Sequence, residues 1–183
     1  AQRRGAEPRW WEDVDEGDDV DPIVKGPMRV TDMVCWHVGM GMGLYGVKPL
    51  ALGVANRRRI PRFFKIDEQG VPDVQQRVHW DPEWARRAGN PTTYDYGRMR
   101  ETWLIHLCTD WMGDDAWLWK LECSFRGFNY VGDVHHLTGT ITRTVVVGVT
   151  VSPRVISHAR SAPATVASTT SFTVPPCALR TRL

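Results

Sequence analysis

One histidine, His79, lies where an imidazole would be able to do acid–base chemistry. It stands just before Asp81-Pro82, a pair that is typical of the start of a short helix. A turn at Asn90-Pro91 follows, and a long apolar stretch opens at Gly97. The sequence therefore predicts a general base beside the amino end of a buried helix, where the helix dipole is positive. Such an arrangement suits chemistry on an acyl thioester.

Three helices must position this histidine. Residues 81–89 predict a small helix, which begins with a capping aspartate followed by proline and ends at glycine. Residues 97–111 predict a long helix with one buried face, because apolar side chains recur at spacings of three and four. These side chains are Met99, Trp103, Leu104, Leu107 and Trp111. An earlier helix is predicted around 33–38, with Thr31 or Asp32 as its cap.

Most of the predicted strands follow the long helix. Residues 117–125 alternate between apolar and polar side chains, which is the period of a half-buried strand. Residues 134–143 and the β-branched run 144–151 predict two more strands. A short strand is predicted at 10–14 and a marginal one at 168–174. Helices together with consecutive antiparallel strands indicate an α+β protein.

The predicted domain organisation is a single domain with two appendages. Residues 1–9 are polar and are predicted to be disordered, and the domain spans 10–152. Within it, residues 39–76 are rich in glycine and proline and predict a long irregular loop. Residues 153–183 change in composition to serine, threonine, alanine, proline and arginine, and predict a poorly ordered tail.

Composition excludes several classes of protein. The net charge of +2 does not indicate a nucleic-acid-binding protein. Arg57-Arg58-Arg59 is interpreted as a solvated loop. Cys35, Cys108, Cys123 and Cys177 include no CxxC pair, which argues against a metal site and a disulfide framework. The first three are interpreted as small buried side chains. With these cysteines, a reducing cytoplasm is the expected compartment. No run approaches about 18 apolar residues, so we expect no membrane span.

Several segments together resemble the MaoC-like hydratases and dehydratases. They are Trp11–Asp18, Val30–Trp36, and Phe125–Asp133 followed by Gly139-Thr140. The resemblance covers about residues 10–143, and the N-terminal, fatty-acid-synthase-like dehydratase type is most similar. It implies the hot-dog fold, in which an antiparallel sheet wraps around a long central helix. It also implies a homodimer, or a hetero-oligomer with another hot-dog subunit.

The same resemblance points to His79 as the main acid–base residue. Active (R)-specific enoyl-CoA hydratases carry Asp-x-Asn-Pro-x-His, and His79 matches its histidine. Val74 stands at the position of the aspartate, and Gln76 replaces the asparagine. A one-residue bulge would bring Asp73 into the catalytic role, whereas the alternative is a turn aspartate. Glu101 is a second candidate, because related dehydratases place a glutamate early in the central helix, and its alternative is an ordinary first-turn glutamate.

The start of the long helix supplies the predicted substrate contacts. Family members carry Ala-His-Gly or a similar triplet there, and this chain has Tyr94-Asp95-Tyr96-Gly97. The resemblance implies that Gly97, Tyr94, Tyr96 and Gln76 contact the substrate, with backbone N–H groups at Gly97 polarising the thioester carbonyl. Plain close packing is the equal alternative for Gly97. The remaining histidines, including His37 and His106, are interpreted as structural.

The resemblance implies reversible hydration of 2-enoyl-CoA, in fatty-acid metabolism, with an acyl-CoA or acyl-carrier-protein thioester as substrate. No metal and no other cofactor is expected. A catalytically inactive hot-dog subunit, which binds acyl groups or completes an active partner, is the alternative. An acyl-CoA thioesterase that uses Glu101 is a third possibility. Nine tryptophans indicate either an aromatic-rich core or the lining for a flat acyl group.

Overall fold

The chain divides into two compact units. The computed structural model describes four stretches of the chain, residues 3–41, 51–145, 148–158 and 168–174. The first unit combines residues 1–27 with residues 97–183, and the second comprises residues 28–96. This division does not decide whether 10–152 folds as one domain, so that boundary remains a prediction.

Strands and helices are numbered here in chain order over the described residues. The strands are β1 (Asp19–Lys25), β2 (Phe64–Ile66), β3 (Pro72–Val74), β4 (Lys120–Cys123), β5 (Val134–Val145), β6 (Gly148–His158) and β7 (Ser168–Val174). The helices are α1 (Val30–Gly39), α2 (Ala51–Arg59), α3 (Pro82–Arg87) and α4 (Gly97–Met112).

A five-stranded antiparallel sheet and the long helix α4 form the first unit. The strand order is β1-β5-β6-β7-β4. Helix α4 packs its apolar face on β1 and β5 through one buried cluster. The cluster includes Val20, Ile23, Leu104, Leu107, Cys108, Trp111, Leu137 and Ile141. Burying each larger apolar side chain contributes about 1.5–3 kcal/mol, so helix and sheet stabilise each other. The predicted α+β class is confirmed.

The spacing of apolar residues located α4 to within one residue. Leu104 and Leu107 are at most 1% exposed, and Met99 and Trp111 are also buried. Trp103 is partly buried against the same cluster. The stripe that the sequence predicts is therefore the face that packs on the sheet.

Three predicted strands differ from the structure. The predicted strand at 144–151 is divided, because residues 144–145 end β5 and residues 148–151 begin β6. Residues Trp11–Asp13 form a 3₁₀ turn instead of a strand, because the Asp13 N–H donates to the Trp10 carbonyl at 3.2 Å rather than to a neighbouring strand. The predicted strand at 117–125 is reduced to β4, since β7 pairs only with residues 120–123. Trp117 and Trp119 remain 65% and 68% exposed, so the alternation there does not mark a buried face.

Part of the predicted tail belongs to the sheet. β6 continues past residue 153 to His158 and pairs with β5 along most of its length. Ser168–Val174 forms the predicted marginal strand, between β6 and β4. β-branched residues favour both strands. Residues 159–167 and 175–183 lie outside the described residues.

The amino-terminal segment is also placed differently from the prediction. Residues 3–9, predicted to be disordered, contact the end of α4. The Arg4 N–H donates to the Asp110 carbonyl at 3.1 Å, and the Asp114 N–H donates to the Gly5 carbonyl at 2.8 Å. The Asp110 carbonyl is one of the groups that the carboxyl end of a helix leaves unpaired. The polar composition alone did not reveal this docking.

Short elements occupy the segment that was predicted to be a loop at 39–76. Residues 51–59 form α2, and β2 and β3 form a hairpin over 64–74. Asp67 closes the hairpin turn, because its Oδ1 accepts from the N–H groups of Gln69 and Val71 at 2.9 and 2.8 Å. α2 buries only Gly53 and Asn56, so its sequence carries no apolar stripe that would predict a helix. Residues 42–50 lie outside the described part.

Capping residues explain where α1 and α3 begin. Asp81 accepts from the N–H groups of Glu83 and Trp84 at 2.9 and 3.2 Å, which confirms the predicted cap. α1 instead begins one residue earlier than Thr31, after Arg29. Asp32 still contributes, since its carboxylate accepts from the Arg29 N–H at 2.9 Å.

The described cysteines are free thiols. Cys108 is fully buried and Cys123 is partly buried, as predicted, but Cys35 is exposed on α1. That prediction failed because Cys35 lies off the buried side of α1, which Met33 and His37 occupy. Cys177 lies outside the described residues. Within the described part of the chain, no helix is long and apolar enough to cross a membrane.

Candidate active site

His79 ends a short 3₁₀ helix of the second unit, Gln75–His79. The helix follows β3 and precedes the Asp81 cap of α3. In a 3₁₀ helix, side chains three positions apart lie on the same face. Gln76 and His79 therefore share one face, and Arg77 lies on another.

A backbone carbonyl fixes the tautomer of His79. Its Nδ1 lies 2.8 Å from the carbonyl oxygen of Tyr94. A carbonyl oxygen can only accept, so Nδ1 carries the hydrogen and donates it. The lone pair of the neutral ring is then at Nε2, which makes no hydrogen bond to any described residue. His79 is partly exposed, so this basic nitrogen remains reachable.

Two tyrosines pack against the imidazole. The ring of Tyr96 lies over His79, with centroids 3.7 Å apart and planes inclined by 32°. The ring of Tyr94 meets His79 edge to face at 4.8 Å and 70°. Since Tyr96 is only 5% exposed, it shields one face of the imidazole from water. The predicted residues His79, Tyr94 and Tyr96 are therefore brought together.

A second histidine, which sequence reasoning assigned to structure alone, joins the same group. His37 on α1 is buried, and its Nδ1 shares a hydrogen bond of 2.7 Å with the Tyr96 hydroxyl. Trp80 packs on His37 with centroids 4.8 Å apart, and Trp36 stacks on Tyr96 at 4.9 Å. In the sequence, only the position of His37 on the apolar face of the predicted helix indicated that its side chain would be buried. We call this group the aromatic cluster: Trp36, His37, His79, Trp80, Tyr94 and Tyr96.

Burial keeps both imidazoles neutral. Desolvation by burial lowers the pKa of His79 to about 4. The hydrogen bond to the Tyr94 carbonyl raises this pKa, but by less than desolvation lowers it. The neighbouring His37 lowers the pKa of His79 further. Burial also lowers the pKa of His37 and raises that of the Tyr96 hydroxyl. At neutral pH the aromatic cluster therefore holds two uncharged imidazoles and a protonated phenol.

We expect His79 to make the folded protein less stable in mild acid. An unfolded histidine titrates near about 6.5, so between that pH and about 4 the unfolded chain binds a proton that folded His79 does not. The stability due to neutral His79 is complete above about pH 6.5 and is lost as the pH falls towards 4. The loss between pH 7 and pH 5 is about 2 kcal/mol.

Urea titrations of wild type and His79→Asn at both pH values measure this effect. His135, buried in the first unit, also has its pKa lowered by burial to about 4, so wild type loses more than His79 alone contributes. The asparagine variant should lose about 2 kcal/mol less than wild type on going from pH 7 to pH 5. Equal losses in the two proteins would show that the pKa of His79 is not depressed.

Arg77 is the centre of an ionic network two residues before His79. Its guanidinium lies 2.7 Å from Asp81, 3.3 Å from Glu68, 3.4 Å from Asp73 and 3.8 Å from Asp67. The arginine side chain is 20% exposed. One cation therefore ties the hairpin, the 3₁₀ helix and the cap of α3 together. Only a planar fork with several donors can contact so many carboxylates at once.

Asp73 belongs to this network rather than to the surroundings of His79. Its carboxylate accepts from the Val74 N–H at 2.7 Å and faces Arg77. Among the described residues it makes no hydrogen bond to His79. β3 pairs in regular register over residues 72–74, with Asp73 opposite Lys65. These contacts support the alternative of a structural aspartate, and a role in proton transfer remains a prediction.

Glu101 and Gly97 lie on α4, in the other unit. The Glu101 carboxylate accepts from Arg98 at 2.9 Å. A Cβ at Gly97 would lie 3.4 Å from Cδ2 of Phe125, so close packing gives one reason for glycine there. Their predicted roles, as a catalytic carboxylate and as the site of an oxyanion donor, remain predictions.

Gln76 carries an unpaired acceptor on the face that it shares with His79. The side chain is 8% exposed, and its Oε1 has no hydrogen-bond partner among the described residues. Leaving a buried polar atom unpaired costs about 1–3 kcal/mol, so this atom favours a donor from outside the chain. A water molecule or a ligand hydroxyl would supply it. The geometry is compatible with the predicted role of Gln76 in substrate binding.

The 3₁₀ helix also borders an open cavity. The cavity has a volume of about 480 Å³ and is lined by Lys65, Ile66, Gln75, Trp84, Arg87 and Ala88. This size lies within the range of about 300–1,000 Å³ that is usual for small-molecule sites. No three metal-ligating side chains are grouped suitably for a metal ion anywhere in the described residues.

Solved structures resemble most of the chain at low sequence identity. An (R)-hydratase from A. caviae involved in PHA biosynthesis is 13% identical, with a TM-score of 0.61 over 89% of this chain and 97% of that chain. The ChsH1-ChsH2 complex from Mycobacterium tuberculosis is 13% identical, with a TM-score of 0.60 over 87% and 96%. A MaoC-like dehydratase is 15% identical, with a TM-score of 0.64 over 93% of this chain and 43% of that chain.

The similarity to solved structures establishes the fold of the chain but not any reaction that it catalyses. No family model matches the sequence, and no curated protein matches it. At 13–15% identity, a common fold does not carry an activity with it. The agreement nevertheless extends over at least 87% of this chain in all three structures. The chain therefore has the hot-dog fold of the MaoC-like dehydratases and (R)-hydratases.

Proposed function

We propose that the chain is a hydro-lyase that acts on acyl thioesters, adding water to a 2-enoyl thioester and removing it from a 3-hydroxyacyl thioester. The observation that carries this proposal is the state of His79. Its Nδ1–H is fixed on the Tyr94 carbonyl, burial keeps the ring neutral, and Nε2 makes no bond to a described residue. A neutral, oriented imidazole is the form that accepts a proton from water.

One imidazole is able to move both protons of the hydration. Nε2 accepts a proton from water as the water oxygen forms its bond to C3 of the enoyl group. The π electrons move towards the thioester carbonyl and give an enolate. The imidazolium then returns its proton to C2, the enolate electrons form the C–H bond, and His79 is neutral again. The reaction consumes one water and changes no oxidation state, so it needs no redox cofactor.

Gln76 would hold the attacking water. Its unpaired Oε1 lies on the same face of the 3₁₀ helix as His79. A water between them would donate one hydrogen to Oε1 and the other to Nε2. Both bonds would orient the water so that a lone pair of its oxygen points away from the two side chains. In the reverse direction the same two groups would bind the 3-hydroxyl group. Asp73 and Glu101 remain candidates for a second acid–base group, as does Gly97 for the oxyanion site.

A catalytically inactive subunit is the second candidate function. It is favoured by one observation: no carboxylate among the described residues of the second unit makes a hydrogen bond to His79. Such a subunit would bind acyl groups or complete the site of a partner with the same fold, in a homodimer or a hetero-oligomer. A thioesterase using Glu101 is a weaker candidate, because that carboxylate already pairs with Arg98.

Incubation of the full chain with crotonyl-CoA separates these functions. A hydro-lyase should consume the enoyl absorbance and form 3-hydroxybutyryl-CoA, detected by mass spectrometry, with no release of free thiol. Thiol release would identify a thioesterase. If the purified chain shows neither reaction, both enzymatic proposals fail for the isolated protein and the inactive-subunit function is supported.

A further inference from the structure

We propose that Tyr96 and His37 form a hydrogen-bonding pair in which the Tyr96 hydroxyl donates to the oxygen of the substrate's developing enolate and His37 holds that hydroxyl in place. The inference rests on the proposed hydro-lyase function. It adds a catalytic residue, Tyr96, and a positioning residue, His37. Both residues belong to the second unit, and the hydrogen bond between them lies within it.

The pair is placed by aromatic packing on every side. Tyr96 lies over the His79 ring at 3.7 Å between centroids, and Trp36 stacks on Tyr96 at 4.9 Å. His37 packs on Trp80. Tyr96 and His37 are 5% and 8% exposed, so neither side chain is free to move into solvent. The phenol is therefore held against the general base that the reaction uses.

In the proposed pair, His37 donates to the Tyr96 hydroxyl, and this direction leaves one donor for a ligand. A phenol has one hydrogen to donate and lone pairs that accept. When Nδ1–H of His37 donates across the 2.7 Å contact, the hydrogen of the Tyr96 hydroxyl is available to another oxygen. The accepted bond also polarises the hydroxyl and strengthens its own donation. No proton is transferred in this role, because the phenol and imidazole both stay neutral.

An enolate oxygen is the ligand atom that this donor suits. In the proposed reaction, negative charge collects on the thioester oxygen while His79 carries the proton. A fixed, poorly solvated donor stabilises such charge more in the transition state than in the ground state. The expected consequence of losing the donor is a lower kcat with little change in KM.

Three variants test the pair. Tyr96→Phe keeps the ring over His79 and removes only the hydroxyl, so kcat for crotonyl-CoA hydration should fall about 100-fold with KM within threefold of wild type. His37→Leu should lower kcat about tenfold. His37→Asn places an amide N–H near the position of Nδ1 and should recover most of that loss. A kcat of Tyr96→Phe within twofold of wild type would overturn the proposal, as would an equal loss in both His37 variants.

Binding of acetoacetyl-CoA keeps the test valid if no variant turns over. This compound carries an ionisable 1,3-dicarbonyl whose enolate resembles the proposed intermediate, and it needs no catalysis to bind. Titration calorimetry should show weaker binding by Tyr96→Phe and His37→Leu, about tenfold or more, and near wild-type binding by His37→Asn. The pair would then stand even though the hydro-lyase function had failed. Equal affinities in all four proteins would overturn the pair itself.

Discussion

Replacing His79 with asparagine is expected to lower kcat for crotonyl-CoA hydration by about 100- to 10,000-fold, the usual contribution of a general acid–base group. The asparagine amide lies near the position of Nδ1, so its N–H is able to keep the bond to the Tyr94 carbonyl that the imidazole makes at 2.8 Å. Nothing replaces Nε2. The variant therefore separates the basic nitrogen from the structural contact, which an alanine at this position would not.

The pH profile provides a second readout of the same group. Because burial lowers the pKa of His79 to about 4, its Nε2 is unprotonated from neutral pH down to about pH 5. The kcat/KM of wild type should therefore stay constant over that interval and decrease as the pH falls below about 4 and His79 becomes protonated. A histidine in water would already lose activity below about 6.5.

His106→Gln is the matched control for His79→Asn. His106 lies on α4 with its side chain 47% exposed and pairs with Asp110 at 3.0 Å. Its replacement should leave kcat and the pH profile unchanged. A His79→Asn enzyme that keeps more than a tenth of the wild-type kcat would show that Nε2 is not the proton acceptor.

Local patterns in the sequence located most of the framework around the site. The stripe from Met99 to Trp111 identified α4, because a helix that packs on a sheet must present one apolar face. Asp81-Pro82 identified α3, because capping is a local interaction. The marginal strand at 168–174 exists because β4 and β6 both pair with it, a requirement that lies far away in the sequence.

The site itself was only partly predictable. His79, Tyr94 and Tyr96 were found through family resemblance, and the structure brings them together. His37 was missed because it lies 42 positions before His79, and its contact with the Tyr96 hydroxyl depends on how α1 packs. Spacing predicted that Asp73 would partner His79. In the structure its carboxylate contacts Arg77, and its role in proton transfer remains a prediction.

Arg77 fixes the turn before His79 through contacts with several elements. It holds carboxylates from the β2–β3 hairpin and from the cap of α3. Its guanidinium also lies over the Trp84 ring, 4.8 Å from the centroid. The network therefore places several long-range restrictions around the helix that carries His79.

Replacing Arg77 with alanine is expected to lower the free energy of unfolding by about 2–4 kcal/mol. Removing one partner of a fully buried ion pair costs about 3–5 kcal/mol, and the partial exposure of Arg77 reduces that figure. The loss leaves Asp67, Glu68, Asp73 and Asp81 near one another without their shared cation. Arg77→Lys should lose about half as much, because one ammonium cannot contact all four.

Arg86→Ala is the control that distinguishes a network from an ordinary surface pair. Among the described residues, Glu83 is the only ionic partner of Arg86, at 3.5 Å, and both side chains are more than half exposed. Such a pair contributes at most about 1 kcal/mol. Urea titrations followed by tryptophan fluorescence, at low and at high salt, give the free energy of unfolding for all four proteins. If Arg77→Ala and Arg86→Ala lose the same small amount, the carboxylates around Arg77 do not depend on it, and the turn before His79 is held by the 3₁₀ helix and the Asp81 cap instead.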